Sequence, residues 1–273
     1  SALPRIAFGY RKFDDAGFAG ATVFETSPSV ASALQRLRTT VPEVAAPVAG
    51  NPLFAIGAAV NPDATVAWLR SITDDIRAKP FTCPWLAPIN QAGSELGEKL
   101  AAPLPPFLRG VRGFSLVVDR LTVEPFDIDG HLLIAGDRPT DLVTALTGAI
   151  PGFPSLAVKP DGRAVPLPIQ QLHLPLRSAH IAMTPDRIVI AAGSASAQRA
   201  TAHLATPAPR TSPLGLMAFD AARLQSLLAA FGEKDTASFG YLGDFGMSFD
   251  ATTAGLSFEF WGDWPAPPAA IAK

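Results

Sequence analysis

Three segments of the sequence share one pattern, and this repetition constrains the fold more than any other feature: an apolar run, then small or polar residues, then an amphipathic stretch. The segments are residues 21–37, 131–146 and 187–204. The apolar runs suit buried strands, and leucine or alanine at intervals of three or four predicts helices. Side-chain oxygens between strand and helix can accept hydrogen bonds from the first helical amides. The candidate N-caps are Thr26 or Ser27, Asp137 and Ser194.

Two other kinds of segment also occur twice. Residues 53–72 and 214–231 each predict a strand that leads directly into a helix. Residues 113–136 and 238–262 alternate between apolar and polar side chains, which predicts hairpins or meanders. We expect the hairpin turns at the Asp-Gly pair 129–130 and at residues 252–255.

Both halves of the chain therefore have the order strand–helix, strand–helix, hairpin. This order predicts an α+β protein made by internal duplication, with antiparallel sheets each covered on one face by helices. One continuous sheet shared by both halves is the alternative. The predicted parts are a first repeat in 1–150 with a Pro-rich insertion at about 79–109, a Pro-rich connection in 151–177, a second repeat in 178–264 and a flexible tail in 265–273.

The composition agrees with a folded chain that has a sizeable core. Apolar residues make up 48% of the 273 residues and charged residues 17%, which excludes disorder across the whole chain. A formal net charge of −2 argues against a basic nucleic-acid-binding surface. The sequence contains no run of about 18 apolar residues, so it predicts no transmembrane helix. The single cysteine, Cys83, excludes an intramolecular disulfide, and we interpret it as a half-buried structural thiol.

Residue spacing provides no catalytic or metal-binding motif. The histidines His131, His173, His180 and His203 form no H-x-H or HExxH pair, so we interpret them as surface or hydrogen-bonded residues. Ser194 stands where a strand-to-helix turn would place a nucleophile, but a helix cap explains it equally well. We therefore predict no catalytic residue, no metal ligand and no cofactor.

The second predicted hairpin has one strongly apolar face. Phe245 and Phe249 alternate with small or polar residues, and Phe258 and Phe260 do so on the following strand. Such a face needs cover. It is either an ordinary core under the helices of its own half or the lining of a cavity for an apolar, lipid-like ligand.

The insertion at about 79–109 carries further apolar side chains between its prolines, including Phe81, Trp85 and Phe107. We expect a short helix at about 87–101. The second half has no counterpart of this segment, and segments added to a scaffold often carry function. We interpret the insertion as a lid, a partner-binding loop or cover for an open edge of the sheet.

Three stretches carry a resemblance to a known family: RIVIAAGSASAQRATAHL (187–204), LGLMAFDAARLQSLL (214–228) and FGMSFDATTAGLSFEF (245–260). They resemble a family of bacterial extracytoplasmic proteins built from tandem strand–helix units, a domain of unknown function. The resemblance covers most of the chain. It implies a periplasmic or otherwise extracytoplasmic protein of the bacterial envelope, with any signal or anchor outside this sequence, and it carries over no catalytic residue.

These observations predict a non-enzymatic binding protein that holds an apolar, lipid-like ligand between sheet and helices. Phe81, Trp85 and Phe107 would stand at the mouth of the cavity, and the four phenylalanines of the second hairpin would stand inside it. The first alternative is a protein-interaction or scaffold module of an envelope assembly, which would bind a partner chain through the insertion and the edge strands. The second alternative, ranked last, is a serine hydrolase that uses Ser194.

Overall fold

The computed structural model describes residues 5–46, 48, 50–149, 156–171, 173–233 and 243–264. Within these ranges the chain is a mixed α+β protein with one eleven-stranded antiparallel sheet. The strands are β1 (Ile6–Asp14), β2 (Gly17–Glu25), β3 (Phe54–Ala58), β4 (Val111–Thr122), β5 (Asp127–Gly136), β6 (Val165–Pro166), β7 (Ala179–Thr184), β8 (Arg187–Ala192), β9 (Gly215–Asp220), β10 (Asp244–Ala251) and β11 (Gly255–Asp263). The α-helices of these ranges are α1 (Pro28–Arg36), α2 (Pro62–Ala78), α3 (Ala87–Ala101), α4 (Pro139–Ala149), α5 (Ser196–Leu204) and α6 (Ala221–Ala230).

The sheet runs without interruption through both halves of the sequence. Its strand order is β1–β2–β11–β10–β9–β3–β4–β5–β8–β7–β6. At its centre β3 pairs with β9, from Phe54 opposite Phe219 to Ala58 opposite Gly215. The expectation of separate sheets is therefore wrong, and the alternative of a single sheet is confirmed. Residues 54–58 and 215–219 carry no charge, so both strands suit central positions with neighbours on both edges.

The order of elements along the chain is the same in two successive series. The first series is β1–β2, α1, β3, α2 and β4–β5, and the second is β7–β8, α5, β9, α6 and β10–β11. The helix α3 lies in the first series only, inside the insertion. In the sheet, the hairpin that opens each series pairs with the hairpin that closes the other, because β2 pairs with β11 and β8 pairs with β5. Each half therefore depends on the other for its strand neighbours.

Both faces of the sheet are covered at β8. Val189 belongs to a buried cluster with Ala200 of α5, whereas Ile188 belongs to a second cluster with Leu142 of α4. Adjacent residues of a strand point to opposite faces, so the two clusters lie on opposite sides of the sheet. The expectation that helices cover only one face of the sheet is therefore wrong at β8. The cause is the run of apolar residues in β8, which gives both faces apolar side chains to bury.

The loop between β4 and β5 differs from the sequence-based expectation. The strands end at Thr122 and begin at Asp127, so the predicted turn at residues 129–130 is wrong. Asp129 and Gly130 lie inside β5. A Cβ at Gly130 would lie 2.5 Å from the Val117 carbonyl oxygen, so the glycine serves a close approach of two strands rather than a turn. The second predicted turn, at residues 252–255, is confirmed.

The predicted helix boundaries and caps have mixed outcomes. The helix at 87–101 is confirmed as α3, and Ser27 caps α1 by accepting a hydrogen bond from the Val30 amide. Ser194 is not a cap, because Ala195 occupies that position of α5 and no side chain caps the helix. Asp137 lies two residues before the first residue of α4 and is ion-paired with Arg112 at 3.6 Å.

Candidate functional site

His131 lies in the middle of β5, on the sheet face that also carries Leu133 and Ala135. Leu133 and Ala135 are fully buried, and His131 is 5% exposed. Its cross-strand neighbours are Val117 of β4 and Ala191 of β8. A histidine thus occupies a buried position of a strand face whose other residues are apolar. Unlike an apolar side chain, it needs a polar partner there.

The helix α5 brings a second histidine to the same face. Ala200 and Leu204 are four residues apart, so they lie on one side of the helix, and both are buried in the cluster that contains Leu133. His203 precedes Leu204 and stands at the border of this buried side, where its side chain is 29% exposed. The helix therefore presents one nitrogen-bearing ring towards the sheet next to His131.

Glu43 comes from the segment that connects α1 to β3. Val41 and Val44 on either side of it are fully buried, and Val41 is also held by Ser212, whose hydroxyl accepts a hydrogen bond from the Val41 amide at 3.1 Å. Between these anchors Glu43 adopts a φ of 69°. This left-handed conformation costs a residue with a Cβ about 1 kcal/mol. The turn directs the Glu43 carboxylate to the two histidines.

These three side chains form the Glu–His–His cluster (Glu43, His131 and His203). The Glu43 carboxylate accepts a hydrogen bond from His131 Nε2 at 2.7 Å and another from His203 Nδ1. The centroids of the two imidazole rings lie 3.6 Å apart with 21° between their planes. The Thr206 hydroxyl donates to the same carboxylate at 3.4 Å. One carboxylate therefore connects a loop, a strand and a helix.

The hydrogen bonds keep the Glu43 carboxylate ionised. Burial alone would raise the pKa of this carboxyl, but the hydrogen bonds and positive charge that His131 and His203 supply outweigh it and lower the pKa to about 2. An ionised carboxylate is an acceptor only, so the facing ring nitrogens are donors. His131 Nδ1 is buried and has no hydrogen-bond partner among the described residues.

A pocket of about 500 Å³ opens over the cluster, and we call it the cluster pocket. Its apolar lining comes from Val117 of β4, from Ala45 and Val48, and from residues 207–209. Its polar lining consists of the Glu–His–His cluster, Thr206 and Asp119, and Asp119 is ion-paired with Arg199. A concave, largely apolar surface with a few convergent polar groups is the usual form of a small-molecule site.

The predicted ligand residues of the second hairpin lie elsewhere. Phe249 pairs with Phe258 in register, and the rings of Phe245 and Phe260 project from the same face as these two. Successive strand pairs from β10 to β5 place that face on the side of the sheet opposite to His131. These four rings therefore do not line the cluster pocket.

The predicted residues of the insertion lie in two further parts of the fold. Phe107 packs against the cluster that contains Leu142 of α4, so it is part of a core. Phe81 and Trp85 precede α3 and are 45% and 75% exposed. The Phe81 backbone is bound through both its amide and its carbonyl to the Asn90 side chain at 2.9 Å. The structure thus distributes the seven predicted ligand residues over three places instead of one cavity.

The strand β1 forms an open aromatic edge of the sheet (Ile6, Phe8, Tyr10 and Phe13). It is an outermost strand, and these four side chains are between 56% and 68% exposed. Their rings continue onto the neighbouring strands, since Phe8 stacks on Phe260 at 5.8 Å between centroids. An apolar patch on an edge strand is unusual for a chain without partners.

The serine next to a histidine is Ser196 rather than Ser194. Ser194 is exposed, whereas the Ser196 hydroxyl lies 2.9 Å from His180 Nδ1 and 2.8 Å from the Ser178 hydroxyl. Ser196 is only 1% exposed, so substrate has no direct access to its hydroxyl. The contacts link β7 to the first turn of α5 and explain Ser196 as a structural residue.

Cys83 is exposed, which contradicts the interpretation as a half-buried thiol. It lies directly before the 3₁₀ helix Pro84–Leu86. The surrounding prolines hold this segment in an extended and turned path, so the thiol gains no packing partner from a regular helix or strand.

Sequence spacing missed the Glu–His–His cluster because its members come from a loop, a strand and a helix far apart in the chain. A signal for His131 exists in the alternation of β5, which places it on the same face as the buried Leu133. A signal for His203 is its position beside the buried stripe of α5. Glu43 has no comparable signal, since its orientation depends on a left-handed turn.

Comparisons with protein-family models, with curated proteins and with solved structures found no match for this chain. Within the described ranges, no helix combines the length and the apolar composition that crossing a bilayer requires.

Proposed function

We propose that this chain is a non-enzymatic binding protein that holds a small, largely apolar ligand in the cluster pocket. The single observation that carries the proposal is the pocket itself, about 500 Å³ of space between the sheet, α5 and the loops on either side. Pockets for small molecules have volumes of roughly 300–1,000 Å³.

The lining indicates the chemistry of the ligand. Val117, Ala45 and the residues 207–209 offer an apolar wall, so the body of the ligand is apolar and lipid-like. Glu43 contributes a carboxylate to the lining, whereas the carboxylate of Asp119 is paired with Arg199, so the polar end of the ligand donates hydrogen bonds to Glu43.

Titration with Nile red, a neutral apolar dye whose fluorescence rises in apolar surroundings, tests this proposal. Val117→Trp places an indole in the pocket, and Val118→Trp is the matched control because adjacent strand residues point to opposite faces. We expect Val117→Trp to weaken dye binding at least tenfold and Val118→Trp to bind the dye like the wild type. Equal binding by the wild type and Val117→Trp, with both folded by circular dichroism, contradicts the proposal.

A second candidate function is docking of a partner protein at the open aromatic edge, as expected for an envelope scaffold. The observation in its favour is β1, an outermost strand with four large apolar side chains more than half exposed. An edge strand offers unpaired backbone groups to an added strand. Cross-linking at β1 in the native envelope tests it: a specific cross-linked protein supports docking, and its absence argues for the pocket alone.

We also propose an extracytoplasmic location and an origin by internal duplication. The location is supported by the family resemblance of residues 187–204 and 245–260. The duplication is supported by the two series of elements in the same order. Release of the protein with the periplasmic fraction of its host would agree with the location, and recovery with the cytoplasmic fraction would contradict it.

A further inference from the structure

We infer that the Glu–His–His cluster binds a divalent transition-metal ion such as Zn²⁺, with His131 Nε2, His203 Nδ1 and a Glu43 carboxylate oxygen as its protein ligands. The inference goes beyond the proposed function, because the three side chains bind such an ion with or without an organic molecule in the cluster pocket.

The three ligand atoms lie close enough together to share one metal ion. The three atoms lie within 4.8 Å of one another. Zinc takes nitrogen and carboxylate ligands at about 2.0–2.2 Å, which separates neighbouring ligand atoms by about 3–3.5 Å. His131 Nε2 and Glu43 Oε2 are 2.7 Å apart, and the two imidazole rings are stacked with their centroids 3.6 Å apart, so binding requires the rings to turn apart until both nitrogens point at one ion.

The donor set selects a class of ion. Two imidazoles and one carboxylate suit zinc and the neighbouring first-row metals, whereas calcium and magnesium prefer oxygen ligands throughout. Three protein ligands leave at least one coordination position for water or another molecule. All three residues line the cluster pocket, which provides room at that position.

The charges and protons of the pocket favour a cation. Its lining contains the carboxylate of Glu43 and no lysine or arginine among the described lining residues, whereas the carboxylate of Asp119 is already paired with Arg199. A ring nitrogen that donates to Glu43 becomes a metal ligand once its proton has moved to the other ring nitrogen or to solvent. His131 Nδ1 lacks a partner among the described residues already, so receiving that proton adds no new unpaired buried nitrogen.

The cluster also carries costs that a purely structural contact does not need. The buried His131 Nδ1, which has no partner among the described residues, costs folding free energy that an apolar side chain would not cost. Glu43 adds a left-handed backbone conformation at a residue other than glycine. Costs of this kind concentrate at functional sites. A bound ion would offset them by using all three side chains.

Isothermal titration calorimetry of the full chain with ZnCl₂ tests the inference, using tag-free protein treated with a chelator and dialysed. We expect one-to-one binding by the wild type. His203→Gln and Glu43→Gln each remove one ligand and weaken binding by at least about tenfold, the loss that even an outer-shell change commonly causes. His173→Gln is the matched control, because His173 is exposed and lies outside the cluster, and we expect it to bind like the wild type.

A titration with Co²⁺ provides a second readout that does not depend on stability, because its visible absorption reports the ligands and geometry of the ion. We expect an absorption band in the wild type that is lost in His203→Gln and retained in His173→Gln. Circular dichroism verifies that each variant is folded. Absence of one-to-one binding in the wild type, or binding by His203→Gln and Glu43→Gln as tight as that of the wild type, overturns the inference. Nile red titration of the metal-free protein measures the organic ligand separately, so either proposal can fail alone.

Discussion

Glu43 and His131 are 88 residues apart in the sequence, yet the Glu43 carboxylate accepts a hydrogen bond from His131 Nε2 at 2.7 Å. The same carboxylate receives a hydrogen bond from His203 of α5. One ionised side chain in a loop therefore fixes the orientation of two histidines on a strand and a helix. The shape and the charge of the cluster pocket depend on this contact.

The first prediction concerns the dependence of stability on pH. The pKa of Glu43 falls from 4.5 to about 2 in the folded protein, a difference worth about 3 kcal/mol. Because the folded-state pKa lies below the unfolded value, this stabilisation is present above about pH 4.5 and is lost as the pH falls towards 2. We expect Glu43→Gln to lower the free energy of unfolding by about 3 kcal/mol at pH 6 and by about 1 kcal/mol at pH 3.

Urea unfolding at the two pH values measures this difference. Glu98→Gln on the exposed side of α3 is the control, and we expect it to change stability by less than about 0.5 kcal/mol at either pH. A destabilisation by Glu43→Gln that is the same at pH 6 and pH 3 would show that the carboxylate charge is not what stabilises the cluster.

The second prediction concerns Gly130, which lies inside β5 rather than at a turn. A Cβ there would be 2.5 Å from the Val117 carbonyl oxygen, so Gly130→Ala should destabilise the protein by about 1–3 kcal/mol. A Cβ added at Gly148 in α4 would meet no atom within 4 Å, so Gly148→Ala should stabilise by about 0.5 kcal/mol through helix propensity. Urea midpoints of the two variants measure both effects. A neutral Gly130→Ala would contradict the strand pairing of β4 and β5.

The third prediction separates two serines that are two residues apart. Ser196→Ala removes the hydroxyl that contacts His180 Nδ1 and Ser178, so it should destabilise by about 1–2 kcal/mol. Ser194→Ala, at an exposed position, should change stability by less than about 0.5 kcal/mol. Thermal unfolding of both variants compares them. A larger effect for Ser194→Ala would contradict the assignment of the buried contact to Ser196.

The fourth prediction concerns the open aromatic edge. Phe8 is 58% exposed and stacks on Phe260, so Phe8→Glu should leave stability nearly unchanged but remove an apolar dye-binding surface. We expect Nile red binding to have two components, a weak one at the open aromatic edge and a stronger one in the cluster pocket. Phe8→Glu should lower the weak component and leave the stronger one, which Val117→Trp weakens. Loss of both components in Phe8→Glu would mean that the dye reports the edge alone.

The sequence predicts local structure well where one element satisfies its own pattern. The helix α3 and the Ser27 cap follow from nearby residues, and both are confirmed. The turn at 129–130 fails because an Asp-Gly pair also suits a strand that approaches its neighbour closely at Gly130. Local patterns do not distinguish these two uses of glycine.

The candidate site is less predictable because it depends on contacts between elements that are far apart in the chain. The alternation of β5 places His131 on a buried face, but only the pairing of β5 with β8 brings α5 and His203 above it. Aromatic residues of the second hairpin follow the predicted alternation, but the sheet order puts their face opposite to His131. The order of strands, rather than the pattern within them, decides which residues meet.

Native mass spectrometry of the chain purified from its own host tests the central claim most directly, that the cluster pocket is a ligand site. We predict a bound organic adduct on the wild type and on Val118→Trp, and its absence from Val117→Trp. The mass of an organic adduct also differs from that of a metal ion, so the two occupants are distinguished in one spectrum. A bare wild-type mass, or an adduct that Val117→Trp retains, would contradict the claim.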